Sequence, residues 1–331
     1  MNAKKLVAAA LLLAACTGKY IRPTTDEKVE ATAERLARGE YLVNSVGACG
    51  GCHSGREGGD NLHAFINSGE STEKYLAGGI GDTVPEMGAT LFMPNLTSDE
   101  ETGLGTWTDD EIMRAIRDGI GKDGRLLFPM MPFNSYQHMS DEDVRSIVAY
   151  LRSIPKVKTK SGKSEMGGFV GFLLRRGVAH HLPATNVPPP DKSNQVKYGE
   201  YVMRLGHCWE CHAATSDGMP RQEDDPLWMA GGRVEELPGL GKVPIRNLTP
   251  DKETGLGNYT AEQIKQAMRT GTRLDGKKMA PPMSLYISHW STMTDEDLDA
   301  LVSYLQSLKP AKNAIPEREL SEEWKKKLGE T

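Results

Sequence analysis

Apolar residues recur at helical spacing in two separate parts of this chain, shortly after Ser140 and shortly after Thr294. In both parts they follow the pattern i, i+3, i+4, i+7, which places them on one face of a helix. Ser140 and Thr294 precede acidic residues and are expected to be N-caps, because the helix dipole favours negative charge in the first turn. The apolar positions are Val144, Ile147, Val148, Leu151, Leu298, Leu301, Val302 and Leu305.

Further helices are predicted in each half of the chain. Two of them cover residues 33–46 and 194–205. The capping boxes Thr108-Asp-Asp-Glu111 and Thr260-Ala-Glu-Gln263 open two more, which end near residues 119 and 271. No alternating apolar run suggests a strand. The predicted fold class is therefore all-α.

The second half of the chain repeats the first. The segment Asn95–Gly105 returns as Asn247–Gly257, and the same displacement of 152 residues carries Met131 to Met283. Such self-similarity indicates a duplicated structural unit. We therefore expect a first domain over 32–155, a linker over 156–194, a second domain over 195–310 and a C-terminal tail over 311–331.

Each repeat contains a Cys-x-x-Cys-His motif, at residues 49–53 and 208–212. This motif attaches haem c, because its two thiols add to the haem vinyl groups and its histidine reaches the iron. A single copy would also fit a zinc half-site, but two copies in matched repeats favour two covalently attached haems. The predicted haem residues are the thiols Cys49, Cys52, Cys208 and Cys211 and the axial ligands His53 and His212.

The sixth iron ligand is predicted to be a methionine in each repeat. Met131 and Met283 are equivalent in the repeat, whereas Met130 and Met279 have no such match. Neighbouring prolines stiffen both loops. A thioether favours Fe(II) and raises the reduction potential relative to a second histidine. The alternative is that these methionines are core residues.

Four further residues occupy equivalent positions in the two repeats. Trp107 and Tyr259 lie just before a helix cap, and each has a polar group that could reach a haem propionate. Asn95 and Asn247 could do the same. Core packing or turn formation is the alternative for all four. The other six histidines are interpreted as surface residues: His63, His138, His180, His181, His207 and His289.

The N-terminus indicates export. Residues 1–15 comprise a charged start and a short apolar run, and Leu13-Ala-Ala-Cys16 matches the bacterial lipoprotein signal box. This resemblance implies cleavage before Cys16, lipidation of its thiol and a tether over 16–31. The alternative is an ordinary secretory signal with a chance cysteine. Lipidation would use the fifth cysteine and place the protein on a bacterial membrane facing the periplasm, and Thr17 favours the outer membrane.

Composition adds two constraints. Only 38% of residues are hydrophobic and 6% are aromatic. This composition predicts a small hydrophobic core, which an apolar cofactor in each domain would enlarge. The net charge of −5 argues against nucleic acid as a partner. An acidic surface is compatible with a basic redox partner, and also with solubility alone.

Each half resembles a class I cytochrome c domain, in which Gly39 and Tyr150, and again Gly199 and Tyr304, match the close crossing of the first and last helices. The repeated Asn-Leu-Thr block and Pro129–Pro132 resemble the multihaem cytochrome c subunits of bacterial membrane-bound alcohol, aldehyde and gluconate dehydrogenases. The resemblance implies two tandem class I domains that carry electrons and are not themselves an enzyme. It implies redox partners such as a dehydrogenase subunit, an oxidase or another cytochrome.

Two other functions stay open at this point. A dihaem redox enzyme of the peroxidase or thiosulfate dehydrogenase type would need one haem with a vacant or displaceable distal ligand. The presence of Met131 and Met283 argues against it. A haem sensor or assembly factor is the third possibility, which two matched domains disfavour.

Overall fold

The computed structural model describes residues 22–59, 66–79, 81–84, 89–128, 130–162, 164–166, 186–213, 215, 221–237 and 239–330. The predicted signal peptide, Cys16 and residues 167–185 of the predicted linker lie outside this part of the chain. None of the helices within it has the length and apolar character needed to cross a membrane.

The described chain is mostly helical, and equivalent helices follow one another in the two repeats. The first repeat contains α1 (Ala33–Tyr41), α2 (Cys49–His53), α3 (Asp109–Asp118), α4 (Phe133–Tyr136) and α5 (Asp141–Ser153). The second contains α6 (Gln195–Leu205), α7 (Cys208–His212), α8 (Ala261–Thr270), α9 (Met283–Trp290) and α10 (Asp295–Ser307), and α11 (Glu322–Leu328) follows. A π-helical turn, Leu42–Val46, extends α1.

The predicted helix starts are confirmed. Both capping boxes are complete: the Glu111 amide donates to Thr108 Oγ1 at 3.1 Å, and the Thr108 amide donates back to Glu111 Oε2 at 2.8 Å. Thr260 and Gln263 repeat this arrangement at the start of α8. Ser140 and Thr294 cap α5 and α10. All eight apolar positions predicted on these two helices are buried.

The first and last helices of each repeat cross at a glycine. A Cβ added to Gly39 on α1 would lie 1.9 Å from the Ser146 carbonyl oxygen on α5, and one added to Gly199 on α6 would lie 1.8 Å from the Ala300 carbonyl oxygen on α10. Both added atoms would also lie 2.8 Å from the Cβ of the tyrosine expected there, Tyr150 or Tyr304. Only glycine permits this approach of two backbones.

Two small antiparallel sheets accompany the helices, and the sequence did not predict them. The first has the order β1 (Gly81–Val84), β2 (Ala89–Phe92) and β3 (Glu165–Met166), and Gly81 pairs with Phe92. The second has the order β4 (Val234–Leu237), β5 (Gly241–Pro244) and β6 (Glu319–Leu320), and Val234 pairs with Pro244. Strands of two to four residues are too short to give a readable alternation of apolar and polar positions.

The start of the predicted linker and the predicted C-terminal tail pack on the repeats that they follow. The Asn95 amide nitrogen donates to the Val157 carbonyl at 2.7 Å, and the Asn247 amide nitrogen donates to the Ala311 carbonyl at 2.8 Å. Strands β3 and β6 then add to the two sheets. On α11, Trp324 is buried against Leu320 and neighbouring residues.

The N-terminal segment also lies against the first repeat. Arg22 forms a bidentate ion pair with Asp110, with N–O distances of 2.9 and 2.7 Å. The amides of Thr25 and Val29 donate to Asp110 and Asp109, at 2.6 and 2.9 Å. The described part of the predicted tether is thus fixed at the N-terminus of α3.

The two repeats share one contiguous core and exchange equivalent hydrogen bonds. Tyr41 on α1 donates to Asp297 at 2.6 Å and accepts from the Thr294 amide at 3.1 Å, at the start of α10. Tyr201 on α6 donates to Asp143 at 2.6 Å and accepts from the Ser140 amide at 3.0 Å, at the start of α5. Each repeat therefore caps the last helix of the other, as in a two-fold interface.

The helix crossing gives the first prediction. Gly199→Ala should lower the free energy of unfolding by about 1–3 kcal/mol or more, because α6 and α10 must separate to admit the methyl group. Gly69→Ala is the control, since its nearest atom would lie 4.0 Å away. It should change stability by less than about 0.5 kcal/mol. Denaturant unfolding of both variants measures this, and equal stabilities would contradict the role of the crossing.

Candidate functional site

The two Cys-x-x-Cys-His motifs each form one helical turn, α2 and α7. The residue before each turn, Ala48 or His207, has a left-handed backbone with φ of 47° or 44°. A non-glycine residue in this conformation is uncommon and is often found at functional sites. The four motif cysteines form no disulfide, which leaves their sulfur atoms available for other bonds.

The structure supplies an acceptor for each motif histidine that the sequence did not identify. His53 Nδ1 lies 2.9 Å from the Pro94 carbonyl oxygen, and His212 Nδ1 lies 2.8 Å from the Arg246 carbonyl oxygen. A carbonyl only accepts, so Nδ1 donates and the lone pair is on Nε2. Such a bond fixes the orientation of a metal-binding imidazole. Burial lowers the pKa of both rings, against the effect of the carbonyl, and favours the neutral form that binds metals.

The repeated loops hold these carbonyls in place. Pro94 and Arg246 directly precede Asn95 and Asn247, which are almost fully buried. Each asparagine side chain also accepts from the amide two residues later, at 2.8 Å in the first loop and 2.9 Å in the second. Both asparagines therefore form turns, the alternative to a propionate contact. A signal for the acceptors was present, because they lie just before the longest repeated block.

Glycines allow the chain to return to the motif. The Gly78 amide donates to the His53 carbonyl at 2.6 Å, and the Gly231 amide donates to the His212 carbonyl at 2.8 Å. Both glycines have positive φ, and a Cβ at Gly78 would lie 2.5 Å from the Met93 carbonyl oxygen. The repeated Ala-Gly-Gly segments thus have a structural role at the site.

The two candidate axial methionines lie next to helices at the core. Met131 is partly buried and packs against the core just before α4, whereas Met130 is 52% exposed. Met283 begins α9 and is also partly buried against the core. Met131 and Met130 thus differ in exposure, and the choice of Met131 as iron ligand stays a prediction.

Trp107 and Tyr259 are placed just before their helix caps, as expected, and both are partly buried. Trp107 packs against the core, and its carbonyl accepts a hydrogen bond from Arg152 Nη2 at 2.5 Å. These contacts favour a packing role for Trp107. Tyr259 donates its backbone amide to the Leu256 carbonyl at 3.0 Å.

The donor set fits haem c better than zinc. Among the residues that the structure describes, no group of three or more His, Cys, Asp or Glu side chains is arranged to hold a metal ion. A zinc site would need such a group. Each motif instead offers two thiols beside one imidazole whose Nδ1 is already used. Those residues would attach and ligate a haem, which supplies one-electron redox chemistry when bound.

Two histidines expected on the surface lie between the repeats, so that interpretation was wrong for them. His289 is only 9% exposed. The His207 ring is packed against Tyr286 and Trp290 of its own repeat, with centroid distances of 5.4 and 6.1 Å, and it also meets the Gly47 backbone of the first repeat. Polarity suggested the surface for both residues, but contacts between the repeats cover them. His138 is exposed, and the other three lie outside the described residues.

His289 forms a charged contact across the two repeats. Its Nε2 lies 2.6 Å from Glu70 Oε1, and its Nδ1 lies 2.8 Å from the Asn44 carbonyl oxygen. Both partners accept, so the imidazolium with two N–H groups satisfies the geometry. Burial opposes this charge, but the hydrogen bond and charge of Glu70 raise the pKa of His289. His289, together with Arg56 at 3.7 Å, holds the pKa of Glu70 low despite its burial.

The comparison with protein families agrees with this geometry. The Cytochrome c family model matches residues 36–155 and again 196–309. The chain therefore belongs to the cytochrome c family, whose members carry covalently attached haem. The predicted family is confirmed.

Similar proteins include components of redox complexes. The chain is 29% identical to the fructose dehydrogenase cytochrome subunit of Gluconobacter japonicus and 30% identical to a nicotinate dehydrogenase subunit of Pseudomonas putida, over 91% and 89% of its own length. It spans only 58% and 23% of those two proteins. It is 25% identical to a dihaem cytochrome c-type protein of Cereibacter sphaeroides, over 90% of this chain and 95% of that protein.

The His289–Glu70 pair predicts a pH dependence. The unshifted pKa of histidine is 6.5, so a raised pKa in the folded state contributes stability below pH 6.5 that is lost as the pH rises through the folded value. Glu70 is charged throughout this range because its pKa is lowered from 4.5. The loss of stability caused by His289→Gln should therefore be largest near pH 5–6 and shrink towards about pH 8.

Unfolding free energies of wild type and variant across this range measure the effect. Glu70→Gln should abolish the same pH dependence, because it removes the partner charge. A stability difference that grows with rising pH would contradict the assignment.

Proposed function

We propose that the chain is a dihaem c-type cytochrome that transfers electrons and is not itself an enzyme. Cys49, Cys52 and His53 would hold one haem and Cys208, Cys211 and His212 the other. Met131 and Met283 would be the sixth ligands. The observation that carries the proposal is that both repeats have a motif histidine bonded through Nδ1 to a carbonyl, followed by a partly buried methionine next to a helix.

The proposed organisation follows the repeat. Two tandem class I cytochrome c domains would occupy 32–155 and 195–310, with a linker over 156–194 and a tail over 311–331. The paired helix crossings at Gly39 and Gly199 support this division. Helices would form the main structure of both domains, and the two small sheets would lie among the loops.

The proposed partners are redox proteins. The names of two relatives place them in fructose and nicotinate dehydrogenases, so we propose a dehydrogenase subunit or quinol-linked protein as electron donor. The acceptor would be an oxidase or another cytochrome. Trp107 and Tyr259 stay candidates for contact with the haems.

A dihaem redox enzyme is the alternative. A peroxidase or thiosulfate dehydrogenase needs a distal position that a substrate or an unusual ligand can occupy. Two equivalent methionines next to equivalent helices favour six-coordinate iron at both sites and so favour electron transfer.

Substitution of the methionines tests the proposal. Met131→Ala and Met283→Ala should each convert one of two low-spin haems to high spin and lower its reduction potential, because the soft thioether that favours Fe(II) is lost. Met130→Ala, which changes an exposed side chain, should leave both haems as in the wild type. Optical and EPR redox titrations of the whole protein measure these changes.

Two results would overturn this assignment. Unchanged spectra for Met131→Ala and Met283→Ala would exclude both residues as ligands. A high-spin haem in the wild-type protein that turns over peroxide would favour the enzyme instead.

We further propose that the protein is exported and attached to a bacterial membrane by lipid on Cys16, facing the periplasm, with the outer membrane as destination. Residues 1–15 would be the signal peptide. Several acyl chains on one cysteine would give stable attachment without a spanning helix. Because Arg22 is held by Asp110, only five residues would lie between the lipidated Cys16 and Arg22, and this stretch would span at most about 22 Å when extended.

Cys16→Ser tests the anchor. The wild-type protein should fractionate with membranes and be released by detergent, whereas the variant should be retained in uncleaved form or appear in the soluble exported fraction. Haem content serves as the control, since Cys16 belongs to neither motif. A wild-type protein that is soluble without detergent would exclude the lipid anchor.

A further inference from the structure

The two attachment motifs differ in the residues between their cysteines. The first has Gly50 and Gly51, and the second has Trp209 and Glu210. Haem attachment uses only the cysteines and the histidine, so it does not explain this difference. The contacts of the four residues account for the difference. Each pair packs against the opposite repeat, at the helix next to the candidate axial methionine of that repeat.

The second motif binds α4 of the first repeat through the hydroxyl group of Ser135. Ser135 is completely buried, and its Oγ accepts a hydrogen bond from Trp209 Nε1 at 2.7 Å. The same Oγ donates to Glu210 Oε1, also at 2.7 Å. Both variable residues of the second motif therefore bind Ser135. Ser135 lies four residues after Met131, which is about one helical turn.

The first motif receives side chains from α9 of the second repeat. A Cβ at Gly51 would lie 3.6 Å from the Tyr286 ring. One at Gly50 would lie 2.6 Å from Glu70 Oε2 of the same repeat and 3.3 Å from His289 Cε1 of the opposite repeat. Tyr286 lies three residues after Met283, on the same face of α9.

The two contacts are complementary in size. Small residues in the first motif admit the large side chains Tyr286 and His289, and large residues in the second motif meet the small Ser135. A third contact joins the end of α9 to the segment before the first motif, because Trp290 Nε1 donates to the Val46 carbonyl at 3.1 Å. The two motifs thus make different contacts with the helix of the opposite repeat.

We propose that each attachment motif positions the axial-methionine helix of the opposite repeat. Trp209 and Glu210 hold α4 and thereby Met131, while the glycines of the first motif seat α9 and thereby Met283. The proposal rests on the proposed function, since it requires both methionines to bind iron. A thioether–iron bond is weak, so a small shift of either helix changes the strength of that bond. The two redox sites are consequently coupled through the protein.

The diagnostic experiment changes one repeat and observes the other. The variants Met131→Ala and Met283→Ala first assign the two haem signals. Trp209→Phe then removes the indole N–H that binds Ser135. Trp228→Phe is a matched control, because this ring lies 5.8 Å from Trp209 and its Nε1 donates at 3.1 Å to Tyr304 of the same repeat.

The measurements are the sulfur-to-iron charge-transfer band of the oxidised protein and the potential of each site. Trp209→Phe should weaken the band of the Met131 site and lower its potential, with a larger shift than at the Met283 site. Trp228→Phe should leave the Met131 site as in the wild type. A change confined to the Met283 site, no change at either site, or equal effects of both variants would overturn the proposal.

A second pair of variants uses the other partner of Ser135. Glu210→Gln keeps an acceptor for the serine hydroxyl and should leave the Met131 site unchanged, whereas Glu210→Ala should weaken its band. Equal spectra for the two variants would count against the proposal. Failure of the dihaem assignment itself would be seen earlier, as methionine variants that change no haem signal.

Discussion

The hydrogen bond from each motif histidine to a backbone carbonyl is the constraint on which the arrangement of both repeats depends. An imidazole in a flexible loop could present either nitrogen, and its ring could turn. The carbonyls of Pro94 and Arg246 remove that freedom. Those carbonyls are in turn fixed by Asn95 and Asn247, which bind the chain after the last helix of each repeat. The longest repeated block of the sequence thus has a local purpose, to hold a single acceptor in place.

The contact between the repeats adds a second level of order. Tyr41 and Tyr201 each hydrogen-bond to the start of the last helix of the opposite repeat, in an almost symmetric way. Around the motifs the symmetry is broken, because glycines on one side correspond to Trp209 and Glu210 on the other. The two repeats therefore have equivalent helices but different contacts around their motifs. Charge is placed at the same boundary, since His289 and Glu70 come from different repeats.

Much of the local structure was readable from the chain. The capping boxes at Thr108 and Thr260 predicted their helices because a cap is satisfied by residues three positions apart. The helical spacing after Ser140 predicted a buried face for the same local reason. The two sheets escaped prediction because strands of two to four residues give no readable alternation, and because β3 and β6 pair with strands more than 70 residues earlier. The environment of His289 escaped it as well, since its partners lie more than 200 residues away.

The sequence by itself determined the class of protein and the duplication. It also predicted the attachment residues, because covalent haem chemistry requires cysteines and a histidine at one short spacing. It also determined which helices form, since capping and amphipathic spacing act over a few residues. Only the tertiary structure decided which carbonyl orients each histidine, which histidines are buried and how the two motifs meet the opposite repeat. These features depend on contacts between residues far apart in the chain, and the spacing of residues along a sequence carries no record of such distances.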